Sequence, residues 1–210
     1  VKVEQATEAA HGAPLYLLAR VPLTDRHFVD TTPDELLGYE AQEDSGFGPP
    51  RRMDGVFTWR GQLGVYGDGK DIFFAEPGPF GWESYPSWLR YRVPAKVAGG
   101  DIRAAVELGG LALVLGRSWG ALLSGAPSAP EAVSIGGGVG AASPQCLVTH
   151  GGVAYAYNGK LWVIGPDGSN KEISRPVQED LPDAANARLS MSANLGSLFL
   201  IDTSTGTCLR

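Results

Sequence analysis

Four stretches of the chain repeat one pattern of apolar and polar positions. They read RMDGVFTWRGQLGVYGDGKDIFFAEPG (Arg52–Gly78), DIRAAVELGGLALVLGRSWGALLSGAP (Asp101–Pro127), QCLVTHGGVAYAYNGKLWVIGPDG (Gln145–Gly168) and ARLSMSANLGSLFLIDTSTGTCLR (Ala187–Arg210). In each, a short strand meets a tight turn at Gly61, Gly109-Gly110, Gly151-Gly152 or Asn194-Leu195-Gly196. A nearly unbroken apolar run follows: LGVYG, LALVLG, VAYAY or SLFLID. A second turn, at Asp68-Gly69, Gly116-Arg117-Ser118, Asn158-Gly159 or Thr205-Gly206, leads to a third strand. Asn-Gly and Asp-Gly between apolar runs favour hairpins, because the two-residue turn needs positive φ at both central positions.

The first turns recur at spacings of about 48, 42 and 44 residues. A period of that length with several strands per unit is that of a β-propeller blade. The segments between the units supply a fourth strand for each of the first three: Trp88–Pro94, Ala129–Ile135 and Asn170–Val177. Apolar middle strands are those of sheets covered on both faces, as blades are by their neighbours. The expected fold is therefore all-β, with about four propeller-type blades over residues 51–210 and a ring that is incomplete or closed by another segment. A β-sandwich, or a row of hairpins with chance spacing, is the alternative.

Residues 1–50 read differently. Leu15–Leu23 is an apolar strand, and HFVDTTPDELLG (His27–Gly38) gives a strand followed by a Pro-marked turn. The pair suggests the closing hairpin of an immunoglobulin-like or fibronectin-like module. Residues 39–50 are acidic and rich in Gly and Pro, as a linker is. The closing TCLR reads as a strand still in progress, so a longer parent chain is expected.

Charge separates the same two regions. Residues 1–50 carry nine acidic and three basic side chains, whereas residues 51–210 carry fourteen of each. A neutral repeat region has no basic stripe to grip phosphates, which argues against tight nucleic-acid binding. Arg90, Arg92, Lys96 and Arg103 form a loose local cluster that reads as a solvated face. No apolar run approaches the length of a membrane span. Cys146 and Cys208 stand far apart and belong to no CxxC pair, so neither a disulfide framework nor a zinc site is indicated.

Candidate chemistry is sparse. His11, His27 and His150 are isolated from one another and from the cysteines. Gly116-Arg117-Ser118-Trp119-Gly120 has the G-x-S-x-G spacing, but it joins two strands, not a strand to a helix. Asp68, Asp71, Glu76 and Asp101 lie at turns and strand ends, where solvated carboxylates are ordinary. Gly136-Gly137-Gly138-Val139-Gly140 does not open a helix and reads as a blade linker. Asp167-Gly168-Ser169-Asn170 lacks the acidic count of a calcium loop. No catalytic, cofactor-binding or metal-binding residue is assigned, and the reading is of a protein that is not an enzyme.

The order of these pieces carries a resemblance. HFVDTTPDELLG, the acidic linker, RGQLGVYGDGKDIFFAEPGPFGWESYP (Arg60–Pro86) and SPQCLVTHGGVAYAYNGKLWVIGPDG (Ser143–Gly168) together resemble the propeller-bearing tail proteins of short-tailed bacteriophages. These are the nozzle, or tail tubular protein B, and the tail hub. The resemblance spans most of residues 15–180, through degenerate motifs. Such proteins are longer than this chain. The resemblance implies a structural virion component, assembled in the host cytoplasm as a ring of its own copies, a hexamer. That ring would contact the portal, the adaptor and other tail proteins, and touch passing DNA only non-specifically along the ejection conduit. The aromatic residues Phe80, Trp82, Tyr85 and Trp88, between the first and second repeats, are the candidate interface residues. Two other classes stay open: a kelch-like or lectin-like binding propeller, and a glycan-degrading propeller enzyme.

Overall fold

The structure, a computed structural model, describes residues 2–6, 15–20, 52–77, 85–86 and 89–210, with backbone alone at 2–6, 15–20, 68, 175 and 178. The chain divides into two compact units, Val1–Gly48 and Pro49–Arg210. In the first, β1 (Lys2–Ala6) pairs antiparallel with β2 (Leu15–Arg20) in the register Lys2↔Arg20. The sequence suggested a different partner for β2, the strand beginning at His27, which lies outside the described residues. Lys2–Ala6 supplies the strand that is seen.

The second unit is all-β: the helical residues described in it are 3-10, in the turns Pro144–Cys146 and Arg175–Asp180 and at Leu89. It forms four antiparallel sheets in succession. The first holds β3 (Gly55–Trp59), β4 (Gln62–Asp68), β5 (Asp71–Phe74) and β6 (Arg90–Arg92). The next holds β7 (Ala104–Leu108), β8 (Leu111–Leu115), β9 (Gly120–Ala126) and β10 (Ala129–Ile135). A third sheet comprises β11 (Leu147–His150), β12 (Val153–Tyr157), β13 (Leu161–Ile164) and β14 (Asn170–Glu172). The last has three strands, β15 (Ala187–Ser192), β16 (Ser197–Asp202) and β17 (Cys208–Leu209). Each sheet runs in chain order from its first strand, the meander of a propeller blade.

Turn chemistry sets these hairpins. Arg60 and Gly61 have φ of 51° and 77°, Gly109 and Gly110 of 61° and 80°, and Gly151 and Gly152 of 59° and 80°. Paired positive φ is what a two-residue turn needs to match the twist of its strands. The fourth blade uses a longer turn between Ser192 and Ser197, where the sequence offers only Gly196 at positive φ. Part of the segment expected as the third blade's outer strand is a 3-10 turn instead. β14 ends at Glu172, and Pro176, which supplies no N–H for a ladder, sits in the first turn of the 3-10 segment that follows.

Strand alternation assigns each blade two faces. In the second blade, Ala112, Val114, Ala121 and Leu123 join a core with Phe57, Trp59, Tyr66, Ile72 and Phe74 of the first. The intervening Leu113, Leu115 and Leu122 belong to a different core, with Ala154, Ala156, Trp162 and Ile164 of the third blade and Ala187, Leu189 and Leu200 of the fourth. The rear face of one blade thus meets the forward face of the blade before it. Strand β3 packs beside β7, β7 beside β11, and β11 beside β15. No comparable packing joins β15 to β3, and no hydrophobic cluster of described residues spans the first and fourth blades.

Hydrogen bonds stitch neighbours together. The Trp59 indole donates to the Gly110 carbonyl at 3.0 Å, Asn158 donates to the Arg117 carbonyl at 2.9 Å, and the Cys146 thiol donates to the Ala187 carbonyl at 3.0 Å. The Tyr157 hydroxyl donates to the Pro182 carbonyl. Burial pushes Tyr66 and Tyr157 up to about 12 and raises the Cys146 thiol.

Candidate interaction surface

Among the described residues, no other blade packs on the rear face of the first. Register places Val56 opposite Val65, Thr58 opposite Leu63, and Val65 opposite Phe73, so these side chains share that face. Val65, Ala75 and Tyr85 form a small buried cluster, with Leu63 and Phe73 half-buried around it. Val56 is 62% exposed. Of the four aromatic residues expected at an interface, Tyr85 is therefore buried against its own blade. Phe80, Trp82 and Trp88 lie outside the described residues.

A charged group borders this face. Asp71 begins β5 and is 1% exposed, although it is ionisable. Cross-strand pairing sets it opposite Arg92, with Arg90 two residues away. Arg92 Nε donates to Asp71 Oδ1 at 2.7 Å and Arg92 Nη2 to Oδ2 at 2.9 Å, while Arg90 also donates to Oδ2. Burial alone would raise the Asp71 pKa. The hydrogen bonds from Arg92 and Arg90 and the charges behind them outweigh it and hold the carboxyl below its ordinary value. Arg90 also lies over the Phe73 ring, 5.2 Å from its centroid. Two of the four basic residues grouped in the sequence thus answer a buried carboxylate. Lys96 and Arg103 are exposed.

The remaining candidates are dispersed. His150 is exposed at the tip of the β11–β12 hairpin, and Arg117 and Ser118 are exposed in the β8–β9 turn. Trp119 of the same pentapeptide is buried and leaves its indole N–H without a partner. Asp101 is exposed, and Glu76 is half-buried next to the end of β5. Asp167 closes a turn by accepting from the Ser169 hydroxyl at 2.6 Å, which lowers its pKa. Among the described residues no group of three or more His, Cys, Asp or Glu is placed to hold a metal ion.

One cleft, of about 230 Å³, lies at the fourth blade. Leu181, Pro182, Leu200 and Leu209 line it together with Asp202, Thr205, Thr207, Glu179 and Asp180. Asp202 is already engaged by the Ser204 hydroxyl and backbone, which lower its pKa. Sequence reasoning did not find this cleft, because its walls come from a 3-10 turn and a blade that are separate in the repeat.

Neither a protein-family model nor a curated protein sequence matches this chain. The architecture is that of a β-propeller, built by blade-to-blade packing.

Proposed function

We propose that this protein is a structural component of a bacteriophage tail, of the nozzle or hub kind. In this reading it acts through contacts with its own copies and with neighbouring tail proteins, and has no catalytic role. The order of acidic arm, linker and blades supports it, as the resemblance of those segments suggested. The observation that carries it is the use of side chains. Strands β8 and β9 commit both faces to neighbouring blades, and the buried carboxylate of Asp71 is spent on two arginines. A neutral blade region would also let DNA pass without gripping phosphates.

Immunogold labelling of purified phage particles with antibodies against this chain tests the reading. Label at the tail vertex, with rings in negative-stain images of the purified protein, is the expected result. Particles without label, together with glycan-array binding by a monomer, would replace it with a lectin-like propeller. Glycan hydrolysis lost on changing a carboxylate would replace it with an enzyme.

A further inference from the structure

The chain holds four asparagines, Asn158, Asn170, Asn186 and Asn194, and of these Asn158 alone precedes a glycine. The pair Asn158-Gly159 reads as a two-residue hairpin turn. The structure builds it otherwise. Tyr157 pairs with Leu161, so three residues join β12 to β13, and Asn158 is not at positive φ. Its side chain also leaves its own hairpin and reaches the blade before.

Three hydrogen bonds hold that side chain. Asn158 Nδ2 donates to the Arg117 carbonyl at 2.9 Å and to the Gly138 carbonyl at 3.2 Å, and the Trp162 indole donates to Asn158 Oδ1 at 3.1 Å. Arg117 lies in the β8–β9 turn and Gly138 in the loop after β10, so the amide ties the third blade to two segments of the second. Those two segments are themselves in close contact. A Cβ at Gly140 would lie 2.3 Å from the Arg117 oxygen, and the Ala141 N–H donates to the Gly116 carbonyl at 2.8 Å. The partners fix the orientation of the amide, because an indole N–H only donates and a carbonyl only accepts. An acid oxygen in place of Nδ2 would have nothing to receive from either carbonyl.

An asparagine before glycine is chemically vulnerable, because glycine has no Cβ to keep its own nitrogen from the neighbouring side chain. In the reaction the Gly159 nitrogen attacks Asn158 Cγ. A new N–Cγ bond forms and the Cγ–Nδ2 bond breaks. The Gly159 amide proton passes to solvent, and Nδ2 takes a proton from water and leaves as ammonia. Water then opens the succinimide to aspartate or isoaspartate. Nothing is oxidised or reduced. The attack requires the side chain to turn back on its own backbone, whereas its hydrogen bonds hold it toward the second blade.

We infer that Asn158 is a modification site gated by the junction between the second and third blades. While the junction is closed, the amide is held and the residue stays asparagine. When the junction opens, the side chain is released and deamidates, with water as the co-reactant. The change runs one way. The new carboxylate faces the two carbonyl oxygens to which the amide donated, and isoaspartate also adds a methylene to the backbone. Each opening that proceeds to reaction leaves a chain without that tie between its second and third blades. The inference concerns the chain's own chemistry and stands apart from the tail reading.

Peptide-mapping mass spectrometry on the purified full chain tests it, after incubation at one mildly alkaline pH with and without urea. Conversion at Asn158 should be at least about tenfold slower in the folded chain than in the unfolded one, because hydrogen bonds must break before the attack. Asn170 also reaches the loop after β10, donating to the Gly136 carbonyl at 3.3 Å, but it precedes Lys171 and should stay unmodified over the same period. Trp162→Phe keeps an aromatic ring and removes one of the three hydrogen bonds. Leu113→Ala loosens the packing between the same two blades. Both should speed conversion in the folded chain and leave the rate in urea unchanged. Asn158→Asp, the direct product, should unfold at lower urea concentration than the parent at neutral pH. The difference should narrow as acid protonates the new carboxyl, which can then donate to one carbonyl. Equal rates in the folded and unfolded chain, no acceleration in either variant, or an Asn158→Asp chain as stable as its parent would overturn the inference.

Discussion

Leu113 and Leu123 sit directly across from neighbouring residues of one hairpin, yet they serve different blades. Both are fully buried. Leu113 belongs to the core shared with the third and fourth blades, Leu123 to the core shared with the first. Shortening either to Ala removes three carbon groups, about 2.4 kcal/mol of transfer free energy at roughly 0.8 kcal/mol each. The cavity left behind raises the expected loss to about 3–5 kcal/mol. Because each blade packs mainly on its neighbours, local opening should follow the junction that is damaged. Native-state hydrogen exchange should show Leu113→Ala loosening β12 and β13 most, and Leu123→Ala loosening β4 and β5 most. Urea unfolding supplies the total loss. A loss below about 1 kcal/mol for either variant, or the reverse pattern of exchange, would refute the two-faced assignment of this hairpin.

Three more outcomes follow from single features. The Asp71 pKa is depressed in the folded state, so its contribution to stability is present above the ordinary value of 3.8 and is lost as pH falls through the lower folded value. Asp71→Asn should therefore destabilise at neutral pH by about 1–3 kcal/mol and flatten the acid limb of a Tm-against-pH curve. An unchanged acid limb would count against the ion-pair role. Tyr66 and Tyr157 are shifted the other way, from 10.0 to about 12. Their burial stabilises fully below pH 10 and is lost as pH rises through 12, so phenolate absorbance should show both titrating last or together with unfolding. Gly109 and Gly110 differ in surroundings although both have positive φ: a Cβ at Gly109 would lie 2.6 Å from Pro166 Cβ, whereas Gly110 is open. Gly110→Ala should cost about 1 kcal/mol and Gly109→Ala about 2–3 kcal/mol, as measured by urea denaturation. Equal losses would argue against the tip-to-turn contact between the second and third blades.

The repeat was legible because its signals are local. Glycine pairs at positive φ fix where each hairpin folds, and unbroken apolar runs such as LALVL require cover on two sides. Those two features led from the sequence to blades, strand by strand, with Ala129–Ile135 recovered along its full length as β10. What stayed hidden depends on contacts remote in sequence. The strand Lys2–Ala6 is too short and polar to announce itself, and a 3-10 turn containing Pro176 takes the end of a segment that otherwise reads as extended. Asp71 looked like an ordinary turn carboxylate, because its neighbours Arg90 and Arg92 arrive on a strand 19 and 21 residues later. Its burial could have been anticipated from its place at the head of the apolar run IFF, where period-two alternation leaves little water. Tyr85, drawn from the same aromatic loop as the other interface candidates, packs beneath Val65 and Ala75 because β4 and β5 leave an apolar face there.

The alternation along β8 has a bearing on how such a chain can lengthen. Because Ala112 and Val114 answer the blade before, and Leu113 and Leu115 the blade after, a blade is a spacer with matched ends. A duplicated gene segment encoding one whole blade would bring its own donor and acceptor surfaces, and could be spliced into the series without redesigning either flank. Insertions of part of a blade would leave one surface without its mate, so growth of the polypeptide is expected in whole modules.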